Sequence, residues 1–237
     1  MNILLYYPEE LNKPRGTRNR MINLATALAE LHDVTVVAAS HPPVSHLTYR
    51  FVQLPHFPLL KKLLRYFNFF PLFGVIKKVK PDIIYSFTEA SLPTMLLPAL
   101  IYNIPHVVEV QSIVIDDLSS RYGRYKKSGF VYKLLDSLVT WMLKQTDVQI
   151  IGCEPLLCYY HGKLDHMILM PPSINTNLFN DRVLPHIKIE LIKKKSQKLA
   201  VIYAGNFNYY QGTLFLLDVI QRLKDLKIHD FIFIFIG

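Results

Sequence analysis

The chain has 237 residues, of which 51% are hydrophobic and 19% are charged, a composition that excludes a disordered chain and allows one or two domains with buried cores. Lysine and arginine outnumber aspartate and glutamate by 27 to 18, which gives a formal net charge of +9. Such an excess favours a phosphate-bearing partner, namely a nucleotide, a nucleic acid or an anionic membrane, and charge alone does not choose among them.

Short apolar runs alternate along the chain with longer stretches of helical period. This alternation is typical of βα units on a parallel sheet, and runs such as VTVV, which are apolar on both faces, favour a sheet covered by helices on each side. We therefore predict an α/β fold, in which a Rossmann-like parallel sheet domain is followed by the first βαβ unit of a second Rossmann-like domain. The predicted strands are 3–7, 33–38, 82–87, 106–110, 148–152, 167–170, 199–204 and 231–236, and the predicted helices cover 21–31, 89–102, 131–142, 155–160 and 212–226.

Apolar residues recur at helical spacing on one side of each long helix. They are Met21, Leu24, Ala25, Leu28 and Leu31 in the first helix, Val131, Leu134, Leu135, Leu138 and Met142 in the middle one, and Leu216, Leu217, Ile220 and Leu223 in the last. We expect the four residues of the last helix to face inward. The two cysteines, Cys153 and Cys158, have no nearby ligands at zinc spacing. We expect both to be buried as small apolar side chains, in a reduced compartment.

A polar, lysine-rich passage follows Pro171 and Pro172, and such a change in composition is typical of a connection between domains. We predict a first domain over 1–172, a linker over 173–198 and an incomplete second domain over 199–237. The amino terminus lacks a basic segment ahead of its short apolar run, and prolines interrupt the apolar region 92–108. No signal peptide and no membrane-spanning helix are therefore predicted, and a cytoplasmic location is expected.

The loop after the first strand, PEELNKPRGTRNR, is the first candidate site. In an open parallel sheet this loop lies at the carboxyl edge, where helix amino termini bind anions. Gly16 would permit close approach of the backbone, Thr17 is expected to cap the helix, and Arg15, Arg18 and Arg20 supply positive charge for a phosphate. A solvated basic turn is the alternative. No GxGxxG or Walker sequence is present, which argues against a nicotinamide-dependent Rossmann protein or a P-loop.

Five segments, in this order, resemble retaining glycosyltransferases of the GT-B fold that carry a glycosyltransferase 4-like N-terminal domain. They are MNILLYYP with LATALAELHDVTVVAA, KPDIIYSF, IPHVVEVQS, DVQIIGCEPLLCYY, and MPPSINTNLF leading to YAGNFNYYQGTLFLLDVI and FIFIFIG. The resemblance covers essentially the whole chain. It implies that the first domain holds the acceptor and that the second binds the nucleotide-sugar donor. It also implies transfer of a sugar from a UDP- or GDP-linked donor to a glycan or lipid-linked acceptor, with no metal ion and no other cofactor.

The resemblance also implies which residues bind the substrates. In the first domain, the basic loop and the segment with Glu109, Gln111 and Ser112 would bind the acceptor or a donor phosphate. Gln111 stands where many members of the family have a histidine, which argues against acid–base chemistry at this position, and no catalytic residue is assigned. Asp116 and Asp117, which follow in the same loop, could approach an acceptor hydroxyl, and a solvated turn is the alternative.

In the second domain, the loop GNFNYYQG resembles the part of the family's site that grips the donor. The family's usual arginine and lysine, which neutralise the diphosphate, are replaced here by amides, which donate hydrogen bonds without charge. The predicted donor-binding residues are Gly205, Asn206, Gln211 and Gly212.

The family places a pair of glutamates further along its C-terminal domain, and the sequence ends before that region. We therefore expect a truncated or split glycosyltransferase that is weakly active or inactive alone, with a separately encoded C-terminal half as a candidate partner. A non-catalytic remnant that binds a membrane or another partner is the alternative.

Two segments combine basic with apolar side chains. In the first segment, apolar residues recur at helical spacing from Leu60 to Phe67 beside lysines, and this mixture of apolar and basic residues extends to Lys80. In the second, 121–133, arginine and lysine alternate with aromatic residues. Both are compatible with an anionic membrane surface, on whose inner face the protein would lie peripherally, and for the first segment a helix packed on the sheet is the alternative. No nucleic-acid module surrounds them, so no nucleic-acid partner is expected. The nine histidines show no metal-ligand spacing, and no metal site is predicted.

Overall fold

The computed structural model describes residues 1–12, 16–42, 47–55, 69–113, 116, 129–172, 198–205, 207 and 212–236. The chain divides into two compact units, Met1–Ile174 and Asn175–Gly237. The helices are α1 (Gly16–Ala29), α2 (Phe69–Val79), α3 (Leu92–Tyr102), α4 (Phe130–Lys144), α5 (Glu154–Tyr160) and α6 (Thr213–Asp225). The strands are β1 (Asn2–Tyr7), β2 (Asp33–Ala38), β3 (Arg50–Gln53), β4 (Ile83–Phe87), β5 (His106–Val110), β6 (Val148–Ile151), β7 (Met167–Leu169), β8 (Leu199–Ala204) and β9 (Phe231–Ile236).

A seven-stranded sheet forms the frame of the first unit, in the order β3-β2-β1-β4-β5-β6-β7. Every neighbouring pair of strands is parallel. The chain runs from β1 toward one edge of the sheet and then returns through β4 toward the other. This reversal is the switch point of a doubly wound sheet, where the loops after β1 and β4 diverge and leave a crevice. The predicted Rossmann-like α/β fold is confirmed.

Helices cover both faces of this sheet, as its strands require. Leu4 and Leu5 are neighbours in β1, and both are fully buried, because successive side chains of a strand point to opposite faces. Leu5 packs in a cluster with Met21 of α1, and Leu4 packs in another with Met95 of α3. The two helices lie on opposite faces because right-handed crossovers place the helix that leads from β1 back to β2 opposite the one that leads from β4 to β5.

The second unit contains a βαβ arrangement in which β8 and β9 pair in parallel and α6 connects them. Both strands have the predicted limits. Leu216, Ile220 and Leu223 of α6 are partly buried, as their spacing predicts, whereas Leu217 is exposed, so its predicted inward position is wrong. A sheet of two strands offers a narrow face, which cannot cover the whole apolar side of the helix. The predicted linker lies outside the described residues, except for Lys198.

Some local expectations are wrong. Leu31 lies beyond the end of α1 and is 80% exposed. Cys153 and Cys158 are exposed rather than buried. The helix α5 buries Leu156 and Tyr160, which lie one turn apart on one side, so a cysteine between them faces outward.

The middle helix, α4, also differs from the simplest interpretation of its pattern. Of the five predicted residues, Val131, Leu134 and Leu138 are exposed, whereas Leu135 and Met142 are half-buried. Met142 packs against the core cluster that contains the buried Leu143. No helix among the described residues is both long and apolar enough to cross a membrane.

His106, at the start of β5, is a buried histidine within the core. Its Nε2 atom lies 2.8 Å from Ser86 Oγ, and the residue is 1% exposed. Burial lowers the pKa of His106 to about 4, although the charge of Asp147 opposes this shift. The imidazole is therefore neutral in the folded protein at neutral pH.

The buried histidine should make the fold sensitive to acid. In the unfolded chain the pKa of a histidine is about 6.5. Between pH 6.5 and pH 4 this histidine is therefore protonated in the unfolded chain and neutral in the folded chain. We expect His106 to reduce the free energy of unfolding by about 3 kcal/mol as the pH falls through this range. In urea unfolding, the free energy of unfolding of His106→Gln should fall between pH 7 and pH 4 by about 3 kcal/mol less than that of the wild type. His166→Gln, at an exposed histidine, is the control, and an equal acid loss in the wild type and His106→Gln would contradict the prediction.

Candidate functional site at the carboxyl edge of the sheet

Three strands beside the switch point are followed by loops that carry polar residues. The strands β1, β4 and β5 are neighbours in the sheet, and because they are parallel, the loops that follow them meet at one edge. The loop after β1 leads into α1, the loop after β4 forms a 3-10 turn over Glu89–Ser91, and the loop after β5 begins with Gln111. The predicted site residues of the first domain lie at or next to this edge, although Arg15 is outside the described residues.

Glu109, near the end of β5, is the centre of this arrangement. Its side chain is 1% exposed, and a buried carboxylate needs donors on its oxygens. Tyr85 donates its hydroxyl to Oε2 at 2.8 Å, and the side-chain amide of Gln111 donates to Oε1 at 2.9 Å. The Nε atom of Arg20 lies 3.3 Å from Oε1. Burial, and next the charge of Glu109, raise the pKa of Tyr85 far above its usual range, so the tyrosine stays a donor.

The arginines that the sequence predicts as phosphate ligands in the first loop have different partners in the structure. Arg20, which the sequence offered as a phosphate ligand, is paired with Glu109 instead. Arg18 donates to its neighbour Asn19 through Nε at 3.0 Å and Nη2 at 2.6 Å. α1 begins at Gly16, so Thr17 lies inside the first helical turn rather than at the expected cap. Its hydroxyl is 2.9 Å from that of Tyr7. The amino end of α1 faces the carboxyl edge of the sheet, so its first-turn N–H groups are available to an anion.

A second buried carboxylate, Glu89, is not among the predicted site residues, because the sequence pattern indicates only that a helix begins there. The side chain of Glu89 is 5% exposed. It accepts the backbone N–H of Gln111 at 3.0 Å and the hydroxyl of Ser112 at 2.7 Å. Burial raises the pKa of Glu89, and the hydrogen bonds from Gln111 and Ser112 oppose this. Its signal in the sequence was a glutamate placed directly after a buried strand, in the segment IIYSFTEAS.

The remaining predicted residues lie in two places. Asp116 accepts the hydroxyl of Tyr132 at 2.8 Å, and Asp117 is outside the described residues. In the second unit, Asn206 and Gln211 are also outside them. Gly205 follows β8, and Gly212 precedes α6.

Gly212 has a φ of 73°, a left-handed conformation that glycine adopts at little cost. At Gly205, a Cβ atom would lie 3.3 Å from the hydroxyl of Tyr203, so a side chain at this position would require the tyrosine to shift by a few tenths of an ångström. Within the described part of the chain, no group of three or more histidine, cysteine, aspartate or glutamate side chains could hold a metal ion.

A doubly wound parallel sheet with carboxylate, amide, hydroxyl and guanidinium groups at its carboxyl edge defines a Rossmann-like ligand-binding domain. The sequence profile of Glycosyltransferase Family 4 matches residues 14–178, a range that includes α1 and both buried glutamates. The chain belongs to this family, and its role is therefore in sugar transfer.

Solved structures share this fold. Sucrose-phosphate synthase from Thermosynechococcus elongatus has a TM-score of 0.61 at 15% identity, over 100% of this chain and 70% of that chain. Anabaena Alr3699/HepE in complex with UDP-glucose has a TM-score of 0.63 at 10% identity, over 100% and 69%. WaaG, a glycosyltransferase involved in lipopolysaccharide biosynthesis, has a TM-score of 0.65 at 12% identity, over 98% and 62%. The predicted GT-B resemblance is confirmed. No curated protein sequence matches the chain.

The pair of Arg20 and Glu109 should dominate the stability of this edge. Removing one partner of a buried ion pair leaves an uncompensated charge, which costs about 3–5 kcal/mol. We expect Arg20→Met to lower the free energy of unfolding by about 3 kcal/mol in urea titrations. The double variant Arg20→Met with Glu109→Gln should recover part of the loss, because no unpaired charge remains.

The control for this prediction is Arg18→Met, which removes only the contact with Asn19 and should change the free energy of unfolding by less than about 0.5 kcal/mol. Equal losses for Arg18→Met and Arg20→Met would contradict the central place of the ion pair.

Proposed function

We propose that the chain takes part in the transfer of a sugar from a UDP- or GDP-linked donor to a hydroxyl group of a glycan or lipid-linked acceptor. The observation that carries this proposal is the family match over residues 14–178, because it includes the carboxyl-edge site. Two similar structures agree with it: Alr3699/HepE was solved with UDP-glucose, and WaaG takes part in lipopolysaccharide biosynthesis.

The first unit would contribute positioning and electrostatics to this reaction. Gln111 donates one amide hydrogen to Glu109, so its second hydrogen and its carbonyl oxygen can bind sugar hydroxyls. The amino end of α1 would face the negative charge that develops on the leaving diphosphate. An amide at position 111 does not titrate, so the proposal assigns no acid or base to it. The sugar passes through an oxocarbenium-like state, which such fixed groups stabilise. As the bond to the diphosphate breaks and the bond to the acceptor oxygen forms, the proton of the acceptor hydroxyl passes to the leaving diphosphate.

The second candidate function is a non-catalytic module that retains binding without transfer. It is favoured by the neutral amides of the donor loop, Asn206 and Gln211, which supply no charge to a diphosphate. The two candidates differ in turnover rather than in fold. Binding of UDP or GDP without release of the nucleotide from a donor would support the module.

A transfer assay tests the proposal. The purified chain should release UDP or GDP slowly from UDP- or GDP-sugars in the presence of glycan acceptors. Glu109→Gln should lower kcat/KM by about 10- to 100-fold, because a displaced Gln111 amide no longer orients the sugar. Glu30→Gln, an exposed glutamate at the end of α1, is the matched control and should keep the rate. Absence of both nucleotide binding and turnover in the wild type would refute the proposal.

We also propose an anionic membrane as a partner, through the exposed side of the three helices α2, α3 and α4, here called the outer helix face. α2 packs against α3 and α3 against α4, and the rings of Phe73 and Tyr102 lie 5.9 Å apart between the first two. On α4 the exposed apolar side chains fall within about 100° of the helix circumference. The exposed apolar residues of α3 and α4 are Leu97, Leu100, Ile101, Tyr102, Phe130, Val131, Leu134, Leu138 and Trp141.

The charges of this face favour an anionic lipid surface over a second copy of the chain. Two of these helices carry exposed lysines, namely Lys77 and Lys78 on α2 and Lys133 and Lys144 on α4. The acidic residue within the three helices, Asp136, is turned inward, where it accepts the hydroxyl of Tyr159 at 2.8 Å. Two such faces would repel each other, whereas anionic headgroups attract lysine at about 1 kcal/mol each. The sequence-based prediction rested on two segments, one from Leu60 to Lys80 and one over 121–133, of which 60–68 and 121–128 are outside the described residues.

Vesicle co-sedimentation tests the membrane partner. The double variant Leu134→Ser with Trp141→Ser should bind at least about 100-fold more weakly to phosphatidylcholine vesicles that contain phosphatidylglycerol, because each of the two apolar side chains that enter the interface contributes about 1.5–3 kcal/mol. The double variant Lys133→Gln with Lys144→Gln should weaken binding to these anionic vesicles and leave binding to vesicles of phosphatidylcholine alone unchanged. Leu31→Ser, an exposed leucine outside the outer helix face, is the control. Equal binding to vesicles with and without phosphatidylglycerol would refute this partner. An equal loss of binding in Leu31→Ser would refute it as well.

A further inference from the structure

Glu89 occupies a turn that is held in an unfavourable backbone conformation. The preceding residue, Thr88, has a φ of 75° and a ψ of 145°, a region that β-branched residues rarely adopt. Ser91 closes the turn, because its hydroxyl and its backbone N–H donate to the Thr88 carbonyl oxygen at 2.6 Å and 3.1 Å. Strain of this kind persists only where the surrounding structure holds it, and it is concentrated at functional sites. Here the strained turn directs Glu89 inward.

The carboxylate of Glu89 binds the loop after the neighbouring strand rather than a cation. Both of its oxygens accept hydrogen bonds from that loop, one from the backbone N–H of Gln111 and the other from the hydroxyl of Ser112. A carboxylate that accepts two donors from adjacent residues fixes both the position and the direction of a short loop. Gln111 then reaches Glu109 with its side chain. The backbone of Gln111 is thus held by one glutamate and its side chain by the other.

We propose that Glu89 is a positioning residue, which fixes the loop after β5 so that the remaining polar groups of Gln111 and Ser112 face the sugar substrate. This inference rests on the proposed function, since it assigns the loop a substrate. Glu89 itself lies beneath the loop and does not contact the substrate. Its carboxylate supplies acceptors that no apolar side chain of the same length could supply, and an amide supplies only part of them.

Two variants at position 89 separate this role from a general effect on folding. Glu89→Met keeps the length of the side chain and removes both acceptors. Glu89→Gln keeps one accepting oxygen for the Gln111 N–H, and its amide can donate to Ser112 Oγ if the serine hydroxyl turns. Glu30→Met, at an exposed glutamate, is the matched control. The full chain is used throughout, and urea unfolding gives the stability of each variant.

The first readout is amide hydrogen exchange of Gln111 and Ser112, measured by NMR in the free protein. We expect Glu89→Met to speed exchange of both amides by at least about 10-fold, Glu89→Gln to give an intermediate value and Glu30→Met to leave them unchanged. This readout does not depend on any substrate. Unchanged protection in Glu89→Met would overturn the proposal whatever the activity of the chain.

The second readout is sugar transfer by the folded fraction of each variant. We expect Glu89→Met to lower kcat/KM by about 10- to 100-fold, and Glu89→Gln to recover part of the loss at equal or lower stability. If kcat/KM falls only in proportion to the stability of each variant, and Glu89→Gln recovers none of it, Glu89 has a purely structural role and the proposal is overturned. A wild-type chain that neither binds nor turns over a nucleotide sugar refutes the proposed function, and with it the substrate-facing part of this inference, whereas faster amide exchange in Glu89→Met would still show that Glu89 holds the loop.

Discussion

The burial of the Glu109 carboxylate at the carboxyl edge of the sheet is the constraint on which the rest of the site depends. A charge with 1% exposure is tolerated only when donors and a counter-charge surround it. These come from separate parts of the chain: Arg20 from α1, Tyr85 from β4 and Gln111 from the loop after β5. Satisfying one carboxylate therefore fixes the relative positions of a helix, a strand and a loop.

The interior of this edge is more acidic than the chain as a whole. Two buried carboxylates, Glu89 and Glu109, lie on either side of Gln111, and among the described residues one guanidinium, that of Arg20, is paired with them. The formal charge of +9 is carried elsewhere, in part by the lysines of the outer helix face. Net charge consequently describes what the surface of the protein attracts and does not locate the site.

The outer helix face shows the limit of an argument from periodicity. The spacing of apolar residues in α4 predicts a helix with one apolar side, and the helix is present. The apolar side that is most prominent in the sequence nevertheless faces outward, and Leu143 is the residue that the helix buries. A periodic pattern identifies a face but contains no information on what covers it, because a lipid surface and a protein core select the same side chains.

The sequence by itself determined the class of fold and most strand limits, because continuous apolar strands and helical periodicity depend on near neighbours in the chain. The family followed from the resemblance of five segments. The strand β3 was missed, since the short edge segment RFVQ has no such pattern. The sequence also indicated Glu109, Gln111 and Ser112, through the resemblance of the segment IPHVVEVQS to the family. Only the tertiary structure decided that Arg20 is paired with Glu109, and that Glu89 belongs to the site. Both depend on contacts between segments that the sheet brings together, and a contact between distant segments leaves no local trace in the order of the residues.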